Sequence, residues 1–244
     1  MNNQETFEKM REMRLQGMLR AFRESCDSGT QERFTPDEMV AHCVDAEWDD
    51  RYNRKYARLL KKANLRYHAR IEEIDFRDSR NIDKNRLLRF SGSDWIKKGE
   101  SIIITGATGV GKSFIACALG HQACVHRKKV LYYNSIKLFS LLKYAKVDGT
   151  YFKEMKKIQK QDLLILDDFG IKTLDAETRL MMLEILEDRH GLKSIIITSQ
   201  FPVDKWHEII DEPTIADAIC DRVAHSSHRI ELSGESMRKM KARE

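Results

Sequence analysis

The residues whose types and spacing most clearly suggest chemistry form a glycine-rich segment, Gly106-Ala107-Thr108-Gly109-Val110-Gly111-Lys112-Ser113. An apolar run precedes this segment and a helix-like run follows it, so it lies at a strand-to-helix turn. Glycines let backbone N–H groups turn inward on phosphate oxygens, and a helix N-terminus adds a positive field. Lys112 would reach the β- and γ-phosphates, and the Ser113 hydroxyl would bind Mg²⁺. The segment therefore predicts a site for ATP and Mg²⁺, against the alternative of a chance glycine-rich turn.

Two carboxylates supply the second half of such a site. Asp167 and Asp168 come directly after the apolar run 163–166, which predicts that they lie at the carboxyl edge of a buried strand. We expect Asp167 to be the magnesium-side partner, held through the coordination shell of the ion. Asp168 would orient or deprotonate the attacking water. The alternative for the pair is a polar turn at the end of a strand.

The elements that must position these residues follow a regular alternation. Short apolar, β-branched runs are separated by segments of helical length, which is typical of buried parallel strands with crossover helices. The sequence predicts an α/β fold of the P-loop NTPase type, with a five-stranded parallel sheet and flanking helices, in a domain covering residues 71–244. The predicted strands are 101–105, 130–133, 163–166, 194–198 and 229–232.

Residues 1–70 show only helical periodicity and predict a small all-α domain that binds DNA or a partner. The periodicity breaks near 25–29 and restarts at Thr35-Pro36, where an N-cap residue precedes a proline. Within 51–70 there are eight basic residues and no acidic ones. On one helix they would cover about half the circumference and suit a phosphate backbone. A solvated helix face, or a contact to an acidic protein, is the alternative. The predicted DNA contacts are Arg51, Arg54, Lys55, Arg58, Lys61, Lys62 and Arg66.

Composition limits the class of protein. The 244 residues carry a net charge of +5, and no apolar run is long enough to cross a bilayer. The five cysteines are scattered and odd in number, which argues against a disulfide framework. We therefore expect reduced thiols in a cytoplasmic protein that does not enter a membrane.

Beyond these motifs, the sequence resembles the IstB family of AAA+ ATPases, which assist transposition of insertion sequences and are relatives of the DnaC helicase loaders and of DnaA. The stretches that carry the resemblance are 199–207, 217–223, 228–232 and 234–239. By resemblance, Gln200 would be sensor 1, Arg222 the arginine finger offered to a neighbouring subunit, and Arg238 sensor 2. An ordinary surface ion pair is the alternative for each arginine.

The resemblance implies an ATP-dependent homo-oligomer that binds double-stranded DNA, prepares the target and stimulates the transposase of the same element. A DnaC-like helicase loader, whose N-terminal helices grip a helicase, is the alternative function. A small-molecule kinase is a third, but 134–161 shows no evident acceptor site. The family pattern usually has Glu where this chain has Asp168, so we expect slow hydrolysis. The AAA+ domain would have little or no separate lid.

Overall fold

The N-terminal part of the chain is helical, as its periodicity predicts. The structure, a computed structural model, describes residues 3–77, 80–224 and 227–237. It divides into two compact units, Met1–Arg58 and Leu59–Glu244. The helices of the N-terminal part are α1 (Asn3–Glu12), α2 (Gln16–Asp27) and α3 (Pro36–Ala63), with a 3-10 turn at Thr30–Arg33.

The start of α3 is closed by a reciprocal capping arrangement. The Glu38 carboxylate accepts from the backbone N–H of Thr35 at 2.8 Å, and the Glu38 N–H donates to the Thr35 hydroxyl at 3.3 Å. Pro36 is the first helical residue, where its missing N–H costs nothing. The restart predicted at Thr35-Pro36 is therefore confirmed.

The end of α3 corrects the prediction of one continuous helix through residue 70. The helix ends at Ala63, and Asn64 has a φ of 52°, a left-handed conformation that commonly stops a helix. Arg66 and Arg70 therefore do not lie on α3. By backbone contacts the two units separate between Arg58 and Leu59, inside α3, whereas the predicted domains meet after residue 70.

The second unit contains the five predicted strands and no others within the described residues. They are β1 (Ser101–Gly106), β2 (Val130–Asn134), β3 (Leu163–Phe169), β4 (Ser194–Ser199) and β5 (Ser227–Leu232). The helices around them are α4 (Lys84–Arg89), α5 (Asp94–Lys97), α6 (Lys112–Val125), α7 (Ser135–Val147), α8 (Tyr151–Gln159), α9 (Ala176–Arg189), α10 (Trp206–Ile210) and α11 (Pro213–Ala224). The α/β fold class is confirmed.

All strand pairs are parallel, and the strand order is β2-β3-β4-β1-β5. This order places β3 between β2 and β4, and β4 beside β1. The carboxyl ends of these four strands therefore share one edge, where the glycine-rich segment also begins. The ladder between β3 and β4 shifts between Leu166 and Phe169, so β3 holds one extra residue at its two aspartates.

Helices cover both faces of the sheet. On one face, buried side chains of α7, α9, α10 and α11 join those of Ile103, Leu164 and Ile197 in one apolar cluster. The other face is covered by α6, which contacts β1, β2, β3 and β4. This burial on both sides explains why the strands are continuously apolar. Among the described residues, no helix has the length and apolar character needed to cross a membrane.

Candidate nucleotide-binding site

The glycine-rich segment forms a loop whose backbone only glycine adopts easily. Gly106, Gly109 and Gly111 have φ values of 141°, 89° and 99°, a region that L-residues rarely enter. A Cβ at Gly106 would lie 2.3 Å from the carbonyl oxygen of Leu232. Gly111 is the N-cap of α6, so the loop opens on the helix N-terminus. This is the arrangement predicted for a phosphate cradle.

Lys112 lies inside the loop that it serves. Its side chain is buried, and the ammonium donates to the carbonyl oxygens of Gly106 at 2.8 Å and Ala107 at 2.9 Å. These bonds hold the positive charge on the inner side of the loop. Phosphate oxygens accept from an ammonium more strongly than carbonyl oxygens do, so a phosphate bound there would be the better partner. Ala107, Thr108 and Val110 complete the loop between the glycines. The geometry fits an anion in the cradle.

A buried arginine behind the loop was missed by the sequence analysis. Arg80 donates to the carbonyl oxygen of Val110 at 2.5 Å and to that of Asp75 at 2.6 Å. Burial lowers the pKa of its guanidinium. Its own carbonyl oxygen accepts from the Ser233 N–H at 3.2 Å. Arg80 therefore ties the segment before β1 to the phosphate loop, and no local sequence signal marks it.

Asp167 is the best-connected side chain of the site. It has no exposure to solvent. One carboxylate oxygen accepts from the hydroxyls of Ser113 at 2.7 Å and Thr198 at 2.5 Å. The other accepts from the Tyr132 hydroxyl at 2.5 Å and from the Arg66 guanidinium at 3.3 Å. Four donors from separate parts of the chain thus fix one carboxylate.

Two of those donors, Thr198 and Tyr132, differ in whether the sequence marks them. Thr198 ends an apolar run, the same signal that identified Asp167, so it could have been found. Tyr132 lies within β2, and nothing local distinguishes its hydroxyl. Burial, and then the hydrogen bond to the Asp167 carboxylate, raise the pKa of Tyr132, so the phenol stays protonated and donates.

The residue set fits a magnesium ion. A hydroxyl and a carboxylate are hard oxygen ligands of the kind that Mg²⁺ prefers, and Ser113 and Asp167 bring them within 2.7 Å of each other. Lys112 lies one residue from Ser113. The predicted pair of magnesium-side residues is thus brought together at the end of the phosphate loop.

Asp168 takes an unusual backbone conformation, with φ of 61°. Its N–H, displaced from the ladder by the extra residue in β3, donates to the Thr198 hydroxyl at 3.0 Å. Its carboxylate accepts from Asn134 at 3.1 Å and from Arg66 at 3.3 Å. Successive strand residues normally point to opposite faces. The bulge lets Asp167 and Asp168 converge on one guanidinium instead.

The three residues whose roles come from the family resemblance, namely the two sensors and the arginine finger, differ in their structural surroundings. Gln200 follows β4, and it is Thr198, two residues earlier, that bonds to Asp167. Arg222, on α11, is paired with Glu187 on α9 at 2.5 Å and donates to the Ala218 carbonyl oxygen at 2.9 Å. Arg238 lies outside the described residues; the preceding Met237 donates its N–H to the Gly109 carbonyl oxygen at 3.0 Å.

The eight basic residues of the window 51–70 lie in different surroundings in the structure. Arg51 pairs with Glu47 at 2.6 Å and Arg54 with Asp50 at 2.6 Å. Arg66 bonds to the two aspartates of the nucleotide site. The basic side chains that α3 leaves exposed toward its end are Lys55, Arg58, Lys61 and Lys62.

The chain is similar in sequence to known proteins over nearly its whole length. The model of a family described as IstB-like ATP binding protein matches residues 8–244. An insertion sequence ATP-binding protein of Sinorhizobium fredii, y4pL, is 45% identical over 238 residues, which are 98% of this chain and 97% of the relative.

Two solved structures of other proteins share the fold of most of this chain. The DnaC helicase loader has a TM-score of 0.59 at 20% identity, covering 68% of this chain and 98% of the loader. AMPPCP-bound DnaA from Aquifex aeolicus has a TM-score of 0.60 at 18% identity, covering 73% of this chain and 54% of DnaA. Identities this low establish similarity of fold alone.

Replacing Thr198 tests the network around Asp167. Thr198→Val keeps the shape but removes the hydroxyl, leaving the Asp168 N–H without its acceptor and Asp167 with one donor fewer. We expect a loss of about 1–3 kcal/mol in the free energy of unfolding, as for an unsatisfied buried polar group. Thr198→Ser keeps the hydroxyl and should lose less. Urea unfolding followed by circular dichroism measures both, and equal stabilities would contradict the assigned role.

Proposed function

This chain belongs to the family of IstB-like ATP-binding proteins, and from that premise we propose that it is a DNA-binding AAA+ ATPase that assists a transposase. In this proposal it works as a cytoplasmic homo-oligomer, binds double-stranded target DNA and stimulates the transposase of its own element. The observation that carries the ATPase part is the convergence of Lys112, Ser113, Asp167 and Asp168 at one edge of the sheet.

Each residue of the site has a defined task in the proposed hydrolysis of ATP to ADP and phosphate. Lys112 would face the β- and γ-phosphates, and Ser113 and Asp167 would hold Mg²⁺, whose charge would balance that of the phosphates. Asp168 orients the attacking water or accepts its proton. Aspartate is one methylene shorter than the glutamate usual at this position, so the expected hydrolysis is slow and suits a timer. Gln200 and Arg238 are proposed as sensors of the γ-phosphate.

Arg222 is proposed to act across a subunit boundary. Within its own chain it pairs with Glu187, whose side chain is 61% exposed, while Arg222 itself is 26% exposed. An ion pair this close to solvent contributes little stability, so it can open at low cost when a neighbouring subunit offers a phosphate. The pair with Glu187 would then hold the guanidinium ready until assembly.

DNA binding is assigned to the exposed cations of α3. Lys55, Arg58, Lys61 and Lys62 lie within eight residues on one helix, and a row of cations suits phosphates without reading sequence. Arg51 and Arg54 can join only if their pairs with Glu47 and Asp50 loosen. Arg66 is engaged by the aspartates of the nucleotide site.

The alternative of a helicase loader rests on likeness of fold to DnaC at 20% identity. The relative that matches almost the whole chain at 45% identity is described as an insertion sequence ATP-binding protein. The transposition role is therefore the better supported of the two. Recovery of the replicative helicase in a pull-down, with no effect of the chain on the transposase, would reverse this order.

Two variants separate ATP binding from hydrolysis. Lys112→Ala should lose most affinity for ATP, because the ammonium faces the phosphates. Asp168→Asn should keep ATP binding and lose turnover by about 10² or more, the scale of a water-activating group. Asparagine tolerates the left-handed backbone at this position, so the fold should be retained. Calorimetry measures binding, and phosphate release measures turnover.

Unchanged affinity in Lys112→Ala would place the nucleotide elsewhere. Unchanged turnover in Asp168→Asn would remove Asp168 from the mechanism.

The role of Arg222 is tested by mixing two inactive variants. Arg222→Ala should bind ATP but fail to hydrolyse it, since a finger acts only on the neighbouring subunit. Adding Lys112→Ala, which keeps its finger, should restore part of the activity at mixed interfaces. Glu187→Gln is the matched control: it removes the intrachain partner and leaves the finger, so activity should persist. Equal loss in Glu187→Gln and Arg222→Ala, without rescue on mixing, would show that the pair is structural.

The exposed cations are tested by the salt dependence of DNA binding. If Lys55, Arg58, Lys61 and Lys62 each touch one phosphate, their replacement by Gln should reduce the slope of log K against log salt by about 3.6. Unrelated duplexes should be affected alike, because backbone contacts carry no base information. Fluorescence anisotropy with ATP present gives the slope.

A variant with Lys9, Lys97, Lys98 and Lys205 replaced by Gln removes the same charge from other exposed positions and should keep the slope. If both variants behave like the unmodified protein, the α3 cations do not contact DNA.

A further inference from the structure

One cation in the nucleotide site has no role in the function proposed above. The guanidinium of Arg66 bridges the two aspartates, with the same nitrogen 3.3 Å from an oxygen of Asp167 and 3.3 Å from an oxygen of Asp168. We propose that Arg66 belongs to the magnesium side of the site, where it competes with Mg²⁺ for these carboxylates and so sets the magnesium concentration at which nucleotide binds. This inference rests on the Mg-ATP site proposed above.

The number of hydrogen bonds that the Asp167 carboxylate can accept makes Arg66 and Mg²⁺ alternative partners. Each of its oxygens already accepts from two donors, Ser113 and Thr198 on one and Tyr132 and Arg66 on the other. A carboxylate offers about four lone-pair directions, so all are taken. A magnesium ion, or a water bound to it, can reach Asp167 only when one donor leaves.

Arg66 is the donor that leaves most easily. Ser113, Thr198 and Tyr132 are neutral and lie on elements packed in the core, and the first of them is itself a magnesium ligand in the proposed site. The Arg66 side chain is 39% exposed. Its positive charge is also the one that Mg²⁺ would repel, because like charges a few ångströms apart in a half-buried site are costly. Exchange therefore proceeds by release of the guanidinium to solvent.

The backbone that carries Arg66 is anchored on both sides, so only the side chain needs to move. Before Arg66, Ala63 at the end of α3 is fully buried; after it, the centroid of the Tyr67 ring lies 6.4 Å from that of Phe114 on α6, and Ala69 is fully buried. The guanidinium also lies over the Tyr67 ring at 5.4 Å, which gives it a second resting place. The chain places Arg66 three residues after the end of α3.

The test measures nucleotide affinity against free Mg²⁺ concentration, using a fluorescent ADP analogue that is not hydrolysed. Arg66→Gln should shift the magnesium midpoint to a lower concentration by about two- to fivefold, the scale of one partly exposed ion pair. In excess chelator, its affinity for the nucleotide should equal that of the unmodified protein. Arg66→Lys keeps the charge but lacks the planar fork of donors that reaches both carboxylates. Its magnesium midpoint should therefore lie between those of the unmodified protein and of Arg66→Gln.

Arg70→Gln is the matched control, since it removes an exposed cation of the same segment and should leave the midpoint unchanged. Circular dichroism establishes that each variant is folded; if Arg66→Gln is not, the lysine variant carries the test. An unchanged midpoint in both Arg66 variants would overturn the proposal. Weaker binding of metal-free nucleotide in Arg66→Gln would also overturn it and make Arg66 a phosphate ligand. Failure of the ATP site itself appears differently, as absence of nucleotide binding in the unmodified protein at every magnesium concentration.

Discussion

A carboxylate buried without exposure to solvent is the constraint on which the site depends. Taking an ionised carboxylate out of water costs several kcal/mol unless hydrogen bonds replace the lost hydration. Asp167 receives those bonds from α6, β2, β4 and the segment after α3. The elements on either side of β3 are thereby held in one register at the edge of the sheet. The group that would hold magnesium is therefore also a group that holds the phosphate loop against the strands.

The neighbouring aspartate illustrates how backbone geometry can select a side chain. The extra residue in β3 puts Asp168 in the left-handed region, with φ of 61°. Asparagine and aspartate enter this region more readily than other non-glycine residues, because their short polar side chains bond locally. Compared with the family pattern alone, Asp168 departs from the glutamate that is usual at this position. The fold supplies a conformational reason for it, since a glutamate here would carry a larger strain.

The charges along α3 show how a local count can mislead. The window 51–70 holds no acidic residue, yet Glu47 and Asp50 lie just before it and pair with Arg51 and Arg54 one turn away. Such i, i+4 partners were visible in the sequence and lay outside the window. The partners of Arg66 were not visible, because they are 101 and 102 residues away.

By itself the sequence determined the class of fold, the five strands and the residues of the phosphate loop and of the aspartate pair. These features are local: buried parallel strands are apolar along their whole length, and a phosphate loop needs glycines at set spacings. Only the tertiary structure decided that Tyr132, Arg80 and Arg66 support the site. The Tyr132 contact arises from strand order and register, since a shift of one residue would turn that side chain to the other face, and Arg80 and Arg66 reach the site from segments outside the sheet. The end of α3 at Ala63 was also not evident from the helical pattern: Asn64 turns the backbone into the left-handed region, Tyr67 then packs near Phe114 on α6, and Ala69 is fully buried.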